Sequence, residues 1–296
     1  MKTNIDIQDT KTYNVRMERS MIDKLFFVDK IDADVIVDYG CADGTMLGHA
    51  RQWMPDLKMV VGFDNNQEML DRAKKKIGGF LLDNDRLALL GCPLHELIEE
   101  AKGKQLVALM SQWIQVTALL EDYRGISYTE TEPAKYALIL NSVIHEVLHY
   151  SSPEVVAEFW QRVFHSGFRY IVIRDMIPSR SVDRPSDTND VAKVYNKFGG
   201  EQVLRDFERQ WGSIENNKNL VHFLLKYKYL QPNWEREVRE NYLPLYREEL
   251  LAMIPTAYQV IYHEHFVLPW IARQVRNDMG LWMHDNTHIK IIMELI

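Results

Sequence analysis

The sequence predicts an α/β protein: a largely parallel sheet with helices on both faces. Three observations point there. First, Val35-Ile-Val-Asp38-Tyr-Gly40-Cys-Ala-Asp-Gly44 runs β-branched residues straight into an acid and two glycines. A helix-compatible stretch (45–54) follows, and a second apolar run, Val60-Val-Gly-Phe-Asp64, ends on another acid. That is strand, tight turn, helix, strand within about 30 residues. Second, the order recurs as an apolar run 136–140, a helix-like run 152–164 and the run Tyr170-Ile-Val-Ile-Arg174-Asp175. Third, strand-like stretches return at 258–269 and 287–296 after a long helical region.

Composition narrows the class. A chain of 296 residues with 46% hydrophobic content can bury a full core. No run of about 18 apolar residues occurs, so no membrane span is expected. The first residues are polar and lack a signal-peptide core. Two cysteines, Cys41 and Cys92, cannot build a disulfide framework or a four-cysteine metal site. Together these features predict a cytoplasmic protein. The net charge of −7 disfavours a broad nucleic-acid surface.

The chemistry concentrates in the first strand–turn–helix. Glycine lets the backbone turn sharply and come close to a ligand. The helix N-terminus above the turn offers unpaired N–H groups. Asp64, 20 residues beyond Gly44, suits a pair of ribose hydroxyls. The stretch therefore reads as a site for a nucleoside-containing cofactor. Its pattern, Asp38-x-Gly40-x-Ala42-x-Gly44, is not the dinucleotide G-x-G-x-x-G. It resembles motif I of the class I S-adenosylmethionine (SAM)-dependent methyltransferases, with Ala42 where the middle glycine usually stands. The resemblance implies SAM as cofactor. Asp38 would lie near its charged amino-acid end and Asp64 would be the ribose acid. The cofactor candidates are Asp38, Gly40, Cys41, Ala42, Gly44, Asp64, Asn65 and Asn141. A turn without a ligand and a nicotinamide enzyme are the competing readings.

The remaining elements follow in chain order. Apolar spacing predicts a helix over 12–29, packing on the core or closing over the cofactor. A helix over 65–77 buries Met69, Leu70, Ala73 and Ile77, with Asn65 or Asn66 as cap and Gly78-Gly79 as stop. The third strand is either 80–82, ending at Asp83, or 106–110, ending at Ser111-Gln112-Trp113. The second has the stronger apolar run, and it would make 95–104 an inserted helix. Asn141 closes the strand 136–140, at the carboxyl end where open α/β sheets bind ligands. Ser152 and Pro153 then start a helix that Gly167 ends. This order resembles motifs IV and V of the same superfamily, so the resemblance covers 31–77 and 136–178.

Residues 180–255 change character. Helical segments such as 190–198 and 201–210 are broken by Pro232-Asn233-Trp234 and Leu243-Pro244 and are rich in aromatics. They read as an inserted helical cap whose aromatics either stack an acceptor or fill their own core. The expected division is an N-terminal helix (1–30), a SAM-binding core (31–179), the cap (180–255) and the last strands (256–296). The resemblance implies a Rossmann-like seven-stranded sheet in the order 3-2-1-4-5-7-6.

Methyl transfer mainly needs an aligned acceptor and exclusion of water, plus a base if a proton must leave. His145 and Glu146, just past the fourth strand, are the catalytic candidates. With His149 they spell H-E-x-x-H, the zincin signature. Pro153 limits the carrying helix and nothing else supports a protease, so no metal is expected. Arg174 and Asp175 are candidates on alternate faces of the fifth strand, so at most one points to the cofactor side; Arg174 suits an anionic acceptor or pairing with a local acid. His263 and His265 share a strand face. The expected function is methyl transfer from SAM to a small molecule or nucleotide. The alternatives are a non-catalytic SAM sensor or scaffold, and an RNA methyltransferase.

Overall fold

The computed structural model describes residues 20–64, 66–77, 86–91 (backbone only), 135–229 and 233–296. The chain divides into two compact units. One holds the described residues from 20 to 175 together with 254–263 and 290–296; the other holds 176–253 and 264–289.

The first unit begins with one turn of helix, α1 (Met21–Lys24). Strand β1 (Val35–Tyr39) and helix α2 (Thr45–Trp53) follow. Then come β2 (Met59–Asp64), α3 (Gln67–Ile77) and β3 (Arg86–Gly91). Strand β4 (Tyr136–Asn141) leads to α4 (Ile144–Tyr150), α5 (Pro153–His165) and β5 (Tyr170–Asp175). With β6 (Tyr258–Phe266) and β7 (His288–Leu295) the strands form a seven-stranded sheet, β3-β2-β1-β4-β5-β7-β6. Neighbours from β3 to β5 are parallel, with Asp38 opposite Gly62 and Ile139, and Asn141 opposite Arg174. Strands β1, β4 and β5 are buried almost throughout, as β-branched runs between two helical layers require.

Two expectations are corrected, and one pair of alternatives is decided. The third strand is Arg86–Gly91, which pairs with β2 from Met59 to Asp64. It is neither 80–82 nor 106–110; both of those runs, and the expected helix 95–104, lie outside the described residues. A run as short as Leu87-Ala-Leu-Leu does not stand out by periodicity, and only its register against β2 identifies it. The helix expected over 12–29 is a single turn in its described part, ending before the buried pair Phe26 and Phe27. The chain turns there instead, with the N–H groups of Lys30 and Ile31 donating to Phe27 O. Of the two expected caps of α3, Asn66 serves: its Oδ1 accepts the Met69 N–H at 3.1 Å.

The second unit is helical. It contains α6 (Thr188–Phe198), capped by Asp187, then α7 (Gln202–Trp211) and α8 (Asn217–Lys226). Two short helices, α9 (Trp234–Glu237) and α10 (Arg247–Met253), precede α11 (Pro269–Met279). Residues 264–289, read from sequence with the last strands, cluster here. The aromatics largely fill this unit's own core: Phe207, Phe223, Tyr227, Trp234 and Tyr242 are all buried together. A fully buried lysine, Lys226, sits under them. Its ammonium donates to the carbonyls of Glu237 and Glu240 and faces the Tyr242 and Trp211 rings. Burial pushes its pKa down to about 7.

Candidate active site

The sharp turn after β1 is built by three left-handed residues, Gly40 (φ +87°), Ala42 (φ +46°) and Gly44 (φ +72°). The N–H groups of Gly40 and Cys41 both donate to Phe63 O, at 2.8 and 2.7 Å. Asp64 locks the turn from the neighbouring strand. Its Oδ2 accepts the Ala42 N–H at 2.8 Å, and its Oδ1 accepts the Asn66 N–H at 2.9 Å. Alanine at position 42 accepts a conformation that costs an L-residue about 1–2 kcal/mol, strain that the Asp64 bond helps to hold.

Gly44 has a second reason to lack a side chain. A Cβ there would lie 2.6 Å from Ile77 Cδ1 and 2.9 Å from Ala73 Cβ. Gly167, also left-handed at φ +74°, would meet nothing within 4 Å. Gly44→Ala should therefore destabilise the protein by about 2–4 kcal/mol, combining the left-handed penalty with overpacking. Gly167→Ala should cost only the backbone term, about 1–2 kcal/mol. Urea unfolding of the two variants checks this, and equal losses would refute the packing account of Gly44.

Cys41 is buried in the core cluster, and burial pushes its thiol pKa well up, so it packs as a small apolar side chain. Asp43 accepts from the Thr45 N–H and hydroxyl and from Lys76 Nζ, tying α2 to the end of α3.

Cross-strand register puts Asp38, Asn141 and Arg174 on one face of the sheet. Asp38 is opposite Ile139, Ile139 shares a face with Asn141, and Asn141 is opposite Arg174. The same face carries Ile36, Ile139 and Val172, packed with Phe26 and Phe27 just beyond α1. All three polar residues are buried. Among the described residues Asp38 Oδ1 and Asn141 Oδ1 have no hydrogen-bond partner, while Asn141 Nδ2 donates to Lys24 O at 3.3 Å. Burial pushes the Asp38 carboxyl up to about 7; the Lys24 charge opposes this and Asp64 adds to it. Lys24 is itself buried and pushed down to about 8, by burial first and then by Arg174, against the pull of Asp38 and Asp175.

On the opposite face of β5, Asp175 is fully buried and organises the start of α4. Its Oδ2 accepts the Ile144 N–H at 2.7 Å, supplying from another strand the cap that Val143 cannot. Its Oδ1 lies 2.6 Å from His145 Nδ1. A carboxylate only accepts, so Nδ1 carries the proton and Nε2 is the basic nitrogen. Glu146 follows on α4, half-buried; His149, one turn on, meets Tyr150 edge-on at 4.5 Å.

The structure thus gathers Gly40, Ala42, Gly44 and Asp64 into one turn, and Asp38 with Asn141 under α1. It places His145 and Glu146 at the start of α4. Asn65 lies outside the described residues. Sequence reasoning missed Lys24 and the positioning role of Asp175. Lys24 stands in a segment read only for apolar spacing, and Asp175 is a candidate by its place at a strand end, with nothing local to pair it with His145.

These residues fit SAM. The two buried acceptors that have no partner among the described residues suit a cationic group, and Asp64 presents a carboxylate at the end of β2, chemistry that suits hydroxyls.

Among protein-family models none matches the chain, and no curated protein matches it. Among solved structures it is similar to the small RNA methyltransferase HEN1, at 12% identity and TM-score 0.45, over 94% of this chain and 25% of that one. It is similar to the plantazolicin methyltransferase BpumL in complex with S-adenosylhomocysteine, at 10% identity and TM-score 0.45, over 97% of this chain and 88% of that one. It is also similar to the mitomycin 7-O-methyltransferase MmcR, at 11% identity and TM-score 0.46, over 98% of this chain and 59% of that one.

Proposed function

We propose that this chain is a SAM-dependent methyltransferase acting on a small molecule or nucleotide, with His145 as proton acceptor. The observation that carries the reading is a pair of buried acceptors, Asp38 Oδ1 and Asn141 Oδ1, with no partner among the described residues, beside a left-handed turn locked to an acid. Buried acceptors without donors are costly, and a ligand ammonium relieves that cost. A pyrophosphate would bring negative charge towards Asp38 instead, which disfavours a dinucleotide.

When bound, SAM supplies an electrophilic methyl carbon on a sulfonium. The chain's own residues do the rest. Asp38 and Asn141 hold the cofactor's ammonium, and Asp64 accepts from its ribose hydroxyls. His145 Nε2 takes the proton that leaves the acceptor's oxygen or nitrogen. Asp175 keeps the imidazole in the needed tautomer and stabilises the imidazolium that results. Glu146, the next residue on α4, orients the acceptor. The net charge of −7 favours a small acceptor over a long nucleic acid. No helix among the described residues is long and apolar enough to cross a membrane.

Calorimetry with SAM, S-adenosylhomocysteine and NAD tests the cofactor. The first two should bind and NAD should not, and Asp64→Ala should weaken SAM binding roughly tenfold or more. Absence of SAM binding by the unaltered protein would overturn the reading.

A further inference from the structure

Arg174 carries an unused recognition edge. The residue is 3% exposed, and its Nη1 donates to Ser142 Oγ at 2.8 Å. Ser142 is itself held in a left-handed conformation (φ +56°), with its N–H donating to Arg174 O at 2.8 Å. The guanidinium is therefore anchored at one corner. Its Nε and Nη2 atoms are buried and have no hydrogen-bond partner among the described residues.

The acids near Arg174 do not take that edge. Asp175 and Asp23 are the two whose charge supports the guanidinium. Asp175 uses its oxygens on His145 Nδ1 and on the start of α4. Asp23 pairs with Lys290 Nζ at 3.0 Å. A buried guanidinium with two unsatisfied donors is expensive, and protein interiors rarely leave such groups open. Nε–H and the adjacent Nη–H point in parallel, a fork that matches the two oxygens of a carboxylate.

We propose that Arg174 is a carboxylate clamp, its Nε/Nη2 edge taking both oxygens of a carboxylate on a ligand of this site. This rests on the ligand-binding reading of the same sheet face. Two sources fit the chemistry. One is the α-carboxylate of the cofactor, whose ammonium would meet Asp38 and Asn141 on that face. The other is a carboxylate on the methyl acceptor, because β5 lies two strands beyond the glycine turn in the sheet order. The nearby Lys24, whose charge repels Arg174, gains from an anion in either case.

The test uses the full-length protein. Calorimetry compares S-adenosylhomocysteine with 5′-methylthioadenosine, which lacks the amino-acid end, in the unaltered protein, Arg174→Lys and Arg174→Gln. In parallel, the Arg174 Nε–H resonance of protein labelled with 15N-arginine is followed during acetate titration, with and without S-adenosylhomocysteine. A loss of roughly ten- to hundredfold for S-adenosylhomocysteine alone, with 5′-methylthioadenosine unaffected, assigns the clamp to the cofactor. Unchanged affinity for both nucleosides, with the resonance still moving on acetate addition in the presence of S-adenosylhomocysteine, assigns it to the acceptor. A resonance that acetate never moves, with both affinities unchanged in both variants, overturns the proposal. If neither nucleoside binds the unaltered protein, the methyltransferase reading fails by itself. The acetate response of Arg174 then still decides the clamp, and it needs no variant to fold.

Discussion

Asp175→Asn should turn the His145 imidazole over to its other tautomer. In the native site Asp175 only accepts: one oxygen from the Ile144 N–H, the other from His145 Nδ1. An asparagine must still accept from the backbone N–H of Ile144, because leaving that buried donor empty costs about 1–3 kcal/mol. Its amide NH₂ then faces Nδ1 and forces that nitrogen to accept. The proton moves to Nε2, and the ring can no longer act as a base there. Imidazole 15N shifts should show His145 protonated at Nδ1 in the unaltered protein and at Nε2 in the variant. With the acceptor in hand, turnover should fall roughly 10²–10⁴-fold, the range in which a misoriented histidine base fails. Affinity for S-adenosylhomocysteine should hold, because Asp175 faces away from Asp38 and Asn141. A tautomer switch without loss of turnover would remove His145 from the chemistry.

Asp38→Asn is expected to separate stability from binding. Burial holds the Asp38 carboxyl near pH 7, with Lys24 opposing and Asp64 adding, while an unfolded aspartate ionises near 4. Between these values the folded protein keeps a proton that the unfolded chain releases. Stability from this group is thus fully present below about pH 4 and is lost as pH rises through 7. From pH 4.5 to 6.5 that loss is about 2.4 kcal/mol. Asparagine does not titrate, so the variant should gain on the unaltered protein by about that amount across the window, read by urea unfolding. The window stops short of Lys24, which titrates near 8 and would lose a supporting charge. Over the same change, SAM affinity at pH 8 should drop roughly ten- to hundredfold, as one charge-assisted bond is weakened. A variant that neither gains stability nor loses affinity would show that Asp38 is a structural acid.

The site was legible in the sequence to the extent that it is local. Gly40 and Gly44 could be read because left-handed turns select glycine, and the acid at Asp64 because it ends an apolar run. The internal work of Asp64 was not legible, since its bond to the Ala42 N–H joins residues 22 positions apart. Asp175 and His145, 30 positions apart, show the same limit. The aromatics of 180–255 were visible, yet their spacing did not say whether they face a ligand or one another; the packing of Phe207 with Phe223 does.

By itself the sequence determined the α/β class, the turn after β1 and the identity of the acids at strand ends. Each follows from stereochemistry or periodicity within a few residues. The tertiary structure alone decided that Arg86–Gly91 lies beside β2, that Asp175 serves α4, and that Lys24, Asp38, Asn141 and Arg174 are buried together. Those outcomes depend on which distant strands pair and in what register. One step of register exchanges every side chain between the two faces of the sheet, so only the assembled sheet decides which polar atoms meet and which are left for a ligand.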